Sequence, residues 1–280
     1  MEEKITKIAK KKNLFHIDFK ELFEYKELLA LYAKRDISVI YKQTILGPIW
    51  FLLQPLLMAS VFSFVFGYII KVSTDGMPRI VFYLSGLLVW NSFKAILDGV
   101  GQTFSSGKGV FAKIYFPRLI PAISQVISNS VFFMLNLVVF LIFYGYYIYQ
   151  GVDLRPNIYV LCLPLIFIWI AIAAFSFGLV VCSLTTKYRD LKFAMPFILQ
   201  CWMYGSPIIF PIRGIENPII QSIMLCNPVA TAVEFVRYSF TGRGMVEPIA
   251  FVCSSSLVLV VLIIGILSFN KVQYNFVDTI

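Results

Sequence analysis

The chain has 280 residues, 59% of them hydrophobic and 14% charged, with a formal net charge of +9 and a mean hydropathy of +0.81. A water-soluble domain carries about a quarter charged residues, so this composition excludes an ordinary soluble fold and points to lipid as the solvent. Ten of the 24 Lys and Arg precede residue 44; an anionic membrane surface accounts for that cluster, and no nucleic-acid partner is implied.

Residues 1–20 read as a basic tail. Its Lys4–Lys12 stretch runs into the charged segment Asp18–Asp36, not into a short apolar core, so a cleavable leader is not expected. Over 21–43, Leu22, Tyr25, Leu29 and Tyr32 recur at helical spacing, with Leu28 widening the stripe and charges elsewhere. That pattern predicts an amphipathic helix lying along the membrane interface, packed on protein, or both.

A helix rising 1.5 Å per residue needs about 20 apolar residues to cross the hydrocarbon. Segments 44–70, 80–104, 119–148, 158–184 and 248–269 satisfy this, and 193–212 reads as a further span interrupted by Pro196, Gly205 and Pro207. Segment 219–240 is long enough to cross, yet Asn227-Pro228 divides it into two pieces that are each too short. The second piece carries Glu234 and Arg237, one turn apart and able to pair. Two short helices dipping in from one side are expected there, the alternative being a seventh span. The fold class is therefore all-α integral membrane with six transmembrane helices. Cations concentrate before the first span, in the 105–118 loop and at Lys187–Lys192, which places both termini in the cytoplasm for six spans. A seventh span would move the C-terminal tail, 271–280, outside.

Catalytic residue types are sparse. His16 is the only histidine, which removes histidine-based acid–base, triad and metal schemes. The five cysteines show neither zinc nor redox spacing and read as small apolar packing residues. Gly101–Gly109 imitates a phosphate loop, but it has five residues between Gly101 and Gly107, and Gly109 replaces the magnesium-binding hydroxyl. No catalytic site, metal or cofactor is expected in this chain. Lys94 and Asp98 lie four apart toward the inner end of the second span. They form either a substrate path or gate, or a paired couple that snorkels to the surface. Tyr144, Tyr146, Tyr147 and Tyr149 fit an interfacial belt, whereas Phe62, Phe66, Trp202 and Tyr204 lie deeper and either line a conduit or pack between helices.

The order of motifs is specific. Arg35-Asp36 precedes Tyr41-Lys42-Gln43-Thr44, Leu46-Gly47-Pro48, Trp50 and Gln54-Pro55; a loop then ends Phe111-Ala112-Lys113-Ile114-Tyr115-Phe116-Pro117-Arg118. Lys187-Tyr188-Arg189-Asp190, Ser206-Pro207, Asn227-Pro228 and Glu234-Phe235-Val236-Arg237 follow. From about Leu22 to Phe269 this resembles the membrane subunit of O-antigen-type polysaccharide exporters, the Wzm-like branch of the type-2 ABC transporter permeases. The resemblance implies a homodimer joined to two copies of a separate ABC ATPase, which supplies ATP and magnesium. The assembly would move undecaprenyl-linked polysaccharide across the bacterial inner membrane. It implies ATPase contacts at the interface helix, at a coupling helix around Val110–Phe116 (Lys113, Tyr115, Arg118) and at Arg189. It further implies external re-entrant helices over 219–240 and a conduit along the first and fifth spans, with Phe62, Phe66, Trp202 and Tyr204 facing it. Arg35 and Lys42 would meet the lipid pyrophosphate, or serve only to set topology. Alternative readings are a teichoic-acid, capsule, lipid or drug exporter of the same type, or a membrane-embedded sugar-lipid transferase.

Overall fold

The computed structural model describes residues 19–42, 49–106 and 116–277. The basic tail before residue 19 and most of the expected coupling helix, Lys113 and Tyr115 included, lie outside the described residues. Among those residues the chain is helical and contains no strand.

Helices α1 (Phe19–Glu24) and α2 (Lys26–Lys42) carry the predicted amphipathic stripe. The stripe is covered by protein: Leu22, Tyr25, Leu28 and Leu29 pack around Tyr32, Phe116 and Ile120. Phe23 and Leu31 point away from this cluster, at 72% and 63% exposure, and are free to meet lipid. The packing of the helix on protein is thus what the structure shows.

Five helical stretches are long and apolar enough to cross a membrane: Leu52–Ile69, Arg79–Gly101, Leu119–Tyr149, Ile158–Lys187 and Pro248–Gln273. The first combines α3 (Ile49–Phe62) with a π-helical continuation, Ser63–Ile69. The others contain α4 (Arg79–Gly101), α5 (Leu119–Tyr149), α6 (Leu163–Lys187, preceded by a 3-10 turn) and α10 (Pro248–Val277). Helix α4 is the hub, with 78% of its apolar window buried against 22% for the first and last spans. It packs on α5 and α6. Gly178 of α6 makes the second contact possible, since a Cβ there would sit 2.7 Å from Cβ of Val100.

Segment 193–212 differs from its expectation. Helix α7 spans Leu191–Tyr204, 14 residues or about 21 Å, and stops at Gly205. Pro207 and Pro211 cannot donate to a helical ladder, so the chain continues as a buried irregular strap. Its backbone is met by side chains, as non-helical backbone at membrane depth requires: an Arg237 guanidinium N–H reaches the Ile208 carbonyl at 3.3 Å. Asn227 Nδ2 donates to Ser206 Oγ at 3.0 Å.

Asn227-Pro228 breaks the next segment as predicted, into α8 (Pro218–Leu225) and α9 (Pro228–Thr241) bent by 96°. Each helix starts Asn-Pro: the Asn side chain caps the N-terminus, and Pro occupies a position that has no N–H to satisfy. The flanks of the pair meet, because Ile212 before it packs with Ala250 after it and Arg213 donates to the Gly244 carbonyl.

Candidate functional site

Two voids lie side by side toward the end of the bundle that carries Arg118, Lys187 and Lys192. The first is a polar cavity of about 370 Å³ between α2, α3, α4 and α5. Helix α4 supplies Asn91, Lys94 and Asp98, and α5 supplies Gln125, Asn129 and Asn136. On a helix, spacings of three, four and seven fall on one face, so two polar stripes confront each other inside otherwise apolar spans. Asp36 enters from α2, where it accepts from Gln125 Nε2 at 2.7 Å and from Arg35 at 2.7 Å. Gln54 and Pro55 close the wall from α3. Pro55 has no N–H for the Phe51 carbonyl, leaving that oxygen without its usual helical donor.

The second void is a groove of about 490 Å³ between α3, α4 and α7. It is lined by the rings of Trp50, Trp90 and Tyr204, by Met58 and Val61, and by the carboxamides of Gln54, Asn91 and Gln200. Gln54, Asn91 and Lys94 belong to both voids, which therefore adjoin.

The predicted residues separate accordingly. Lys94 and Asp98 share the cavity, and no ion pair joins them among the described residues. Of the four aromatics, Tyr204 lines the groove. Phe62 is buried at 5% exposure, edge-on to Phe66 and Tyr83. Trp202 packs between Phe93 and Phe177 and donates its indole N–H to Asn227 Oδ1 at 3.1 Å. Both of these rings face protein, because they fall on the sides of α3 and α7 turned toward α4. Phe66 is half-buried against the same core.

Arg35 is committed locally. Its Nε and Nη2 both donate to Asp36 Oδ1, and its guanidinium lies 4.4 Å over the Tyr32 ring. Burial pushes the Tyr32 phenol above its ordinary value while Arg35 pulls it down. Lys42 is the last residue of α2; its side chain lies outside the described residues. Arg118 donates to the Gln273 carbonyl at 2.6 Å, tying the start of α5 to the end of α10, and Arg189 is exposed in the α6–α7 turn.

Sequence reasoning missed Gln54, Asn91, Gln125, Asn129 and Asn136. The signal was present: carboxamides at 125, 129 and 136 repeat on one helical face within a span that has no other need of them.

Comparison with known proteins agrees with this architecture. The family described as ABC-2 type transporter matches residues 27–241. An O-antigen export system permease protein RfbA of Klebsiella pneumoniae is 27% identical over 257 residues, covering 90% of this chain and 94% of that protein. The RfbA permease of Myxococcus xanthus is 24% identical, covering 86% and 91%. The polysialic acid transport protein KpsM of Escherichia coli is more distant, at 23% over 83% and 88%. The family pattern runs from α2 through α9, and the chain accordingly belongs to the ABC-2 type transporter family.

Proposed function

We propose that this chain is the membrane subunit of an ATP-driven exporter that carries lipid-linked polysaccharide, of O-antigen type, across the bacterial inner membrane. One observation carries the reading beyond family membership: the groove along α3 and α7 mixes aromatic faces with carboxamides. Rings stack on the apolar faces of pyranoses while amides satisfy their hydroxyls, and a purely apolar path would have no use for the amides. The RfbA relatives support the same cargo class. The chain contributes no catalysis of its own; ATP and magnesium belong to a partner ABC ATPase.

The groove is open on one side, and α3 and α10 leave most of their surface uncovered. A second copy closing the conduit fits both facts, so the working unit is a homodimer with two ATPases. Six spans per chain follow if α7 and its buried strap cross together. The bent pair α8–α9 is then re-entrant from the outer side, since its flanks meet at Arg213 and Gly244. The cation-rich end faces the cytoplasm, with both termini, by the positive-inside rule. We expect the ATPase to dock there on α2, Arg118 and Arg189, and on Lys113 and Tyr115, which lie outside the described residues.

Deleting the gene should leave polymer synthesis intact and trap lipid-linked polymer inside the cell. Normal surface polymer in the deletion strain would dismiss the proposal.

A further inference from the structure

The export reading does not explain why the cavity between α3, α4 and α5 is so polar. Apart from Asp36 and Gln125, which bond to each other, its larger polar side chains do not satisfy one another. Asn129 and Asn136 each donate Nδ2 to the carbonyl four residues earlier, at 2.8 Å. A carbonyl accepts only from the amide nitrogen, so both Oδ1 atoms face away from those bonds as acceptors. Asn136 Oδ1 is buried and has no partner. Gln54, Asn91, Lys94 and Asp98 also make no side-chain hydrogen bond or ion pair among the described residues. Four uncommitted polar side chains and the two amide oxygens of Asn129 and Asn136 thus converge on one void, beside the Phe132 ring. A helix pair needing only to pack would carry apolar residues at these positions.

The charge on the wall selects the ligand. Two carboxylates, Asp36 and Asp98, face a single ammonium, Lys94. The neighbouring guanidinium of Arg35 is already spent on Asp36. Among the described residues Arg35 balances Asp36 and Lys94 balances Asp98, so the wall is near neutral and no surplus positive charge is left to draw a pyrophosphate. Uncharged hydroxyl and acetamido groups, by contrast, supply the donors that Asn129, Asn136 and Asp98 lack and the acceptors that Lys94 can meet. The volume lies within the range of small-ligand sites, about 300–1,000 Å³.

We propose that this cavity is a sugar-binding site: it holds a neutral pyranose of the cargo next to the conduit and leaves the phosphate groups of the lipid carrier outside. It deepens the export reading and rests on it. Because Gln54, Asn91 and Lys94 also line the groove, a sugar leaving the cavity passes directly to the aromatic wall.

The test uses the complete transporter, co-purified with its ATPase in a zwitterionic detergent free of sugar headgroups. Tritiated n-octyl β-N-acetylglucosaminide is the probe; unlabelled glycoside, n-octyl phosphate and octanol are competitors. Saturable binding displaced by the glycoside alone is expected. Asn129→Leu with Asn136→Leu should weaken it about tenfold or more, the loss of two hydrogen bonds. Asp98→Asn, which keeps the shape, should weaken it several-fold with ATPase co-purification unchanged. That variant carries the test if the double substitution fails to assemble. Equal displacement by octyl phosphate would make the cavity an anion site, and equal displacement by octanol a tail-binding crevice; either overturns the proposal, as does unchanged affinity in Asp98→Asn. If the deletion strain traps polymer while the glycoside fails to bind, this inference falls and the export reading stands. Normal surface polymer in that strain removes the export reading whatever the binding result.

Discussion

Two pairs of opposite charges lie about one helical turn apart in apolar segments, and the structure uses them in opposite ways. Arg237 and Glu234 of α9 form a closed knot. Their side chains are 1% and 4% exposed and bridge at 2.9 Å. The guanidinium also reaches the Phe82 and Ile208 carbonyls and lies 3.6 Å over the Phe82 ring. Glu234 Oε2 accepts from the Met245 N–H at 2.8 Å. Lys94 and Asp98 of α4 remain apart from each other and face a cavity. The difference follows the backbone. Where the chain is broken at 205–211, peptide groups without helical partners need a buried cation to bind them; where α4 and α5 run unbroken, polar side chains are free to meet a ligand. Charge pairing alone does not reveal a site, but what surrounds the pair does.

The comparison breaks most visibly at Arg237. Arg237→Met strands Glu234 and takes a donor from the Ile208 carbonyl in the interior, at a cost of about 3–5 kcal/mol. We expect little folded protein and no ATPase co-purification. Adding Glu234→Met should recover part of the loss. If Arg237→Met alone expresses and melts like the wild type, the knot is not what holds the strap to α4.

Trp202 and Tyr204 sharpen the contrast on a single helix. Trp202→Ala empties a place between Phe93 and Phe177 and removes a partner of the Asn227 cap, for about 3 kcal/mol. Tyr204→Ala takes away a groove ring at 47% exposure and should leave the melting temperature almost unchanged while lowering polymer export several-fold. Equal effects of the two on thermal melting, followed by native fluorescence, would show that Tyr204 is a packing residue too.

These residues also mark how far the sequence is legible. Hydrophobic length located the five long spans, and Asn227-Pro228 located the bend, because crossing lipid and breaking a helix are local requirements. Gly205 and Pro207 marked an interruption of α7, but not that the chain beyond it runs on as a buried irregular strap, which is met by Arg237, nearly thirty residues away. Nor could periodicity decide which aromatic faced the groove. Trp202 and Tyr204 are two residues apart, on different helical faces, and which face meets protein is a tertiary fact. The carboxamide stripe of α5 was legible in principle, since 125, 129 and 136 share a face. Its signal is diluted: spread along a helix of 31 residues that is mostly apolar, the amides leave the span's mean hydropathy at 2.3. The contact between Cys226 and Cys253 had no comparable signal: they lie far apart in the chain and meet only through the bend.

Asp98 tests the other side of the comparison with a smaller stability effect. Asp98 makes no ion pair or side-chain hydrogen bond among the described residues, so Asp98→Asn breaks no contact and should change stability by less than about 1 kcal/mol. Export should nevertheless fall, with ATPase activity of the complex retained. A large drop in melting temperature would mean that Asp98 is held by protein contacts, like Glu234, and would erase the distinction between the two pairs.

The smallest effect belongs to Asp153 and Arg155, a pair at 2.9 Å in the loop after α5 with side chains 65% and 82% exposed. The hydrogen bond from Arg155 holds the Asp153 carboxyl below its ordinary value. A carboxylate lowered in this way stabilises the fold above the ordinary carboxyl range and loses that contribution as pH falls through the lowered value. Water on all sides screens the pair, so the amount is small. Arg155→Ala and wild type should therefore give superimposable melting temperatures from pH 7 down to about pH 3, and the wild type should gain no measurable advantage at the upper end. A gap that opens above the carboxyl range and closes on acidification would mean that this exposed pair, and not only the buried one, constrains the fold around it. Proximity of opposite charges would then matter more than burial, contrary to the contrast between α9 and α4.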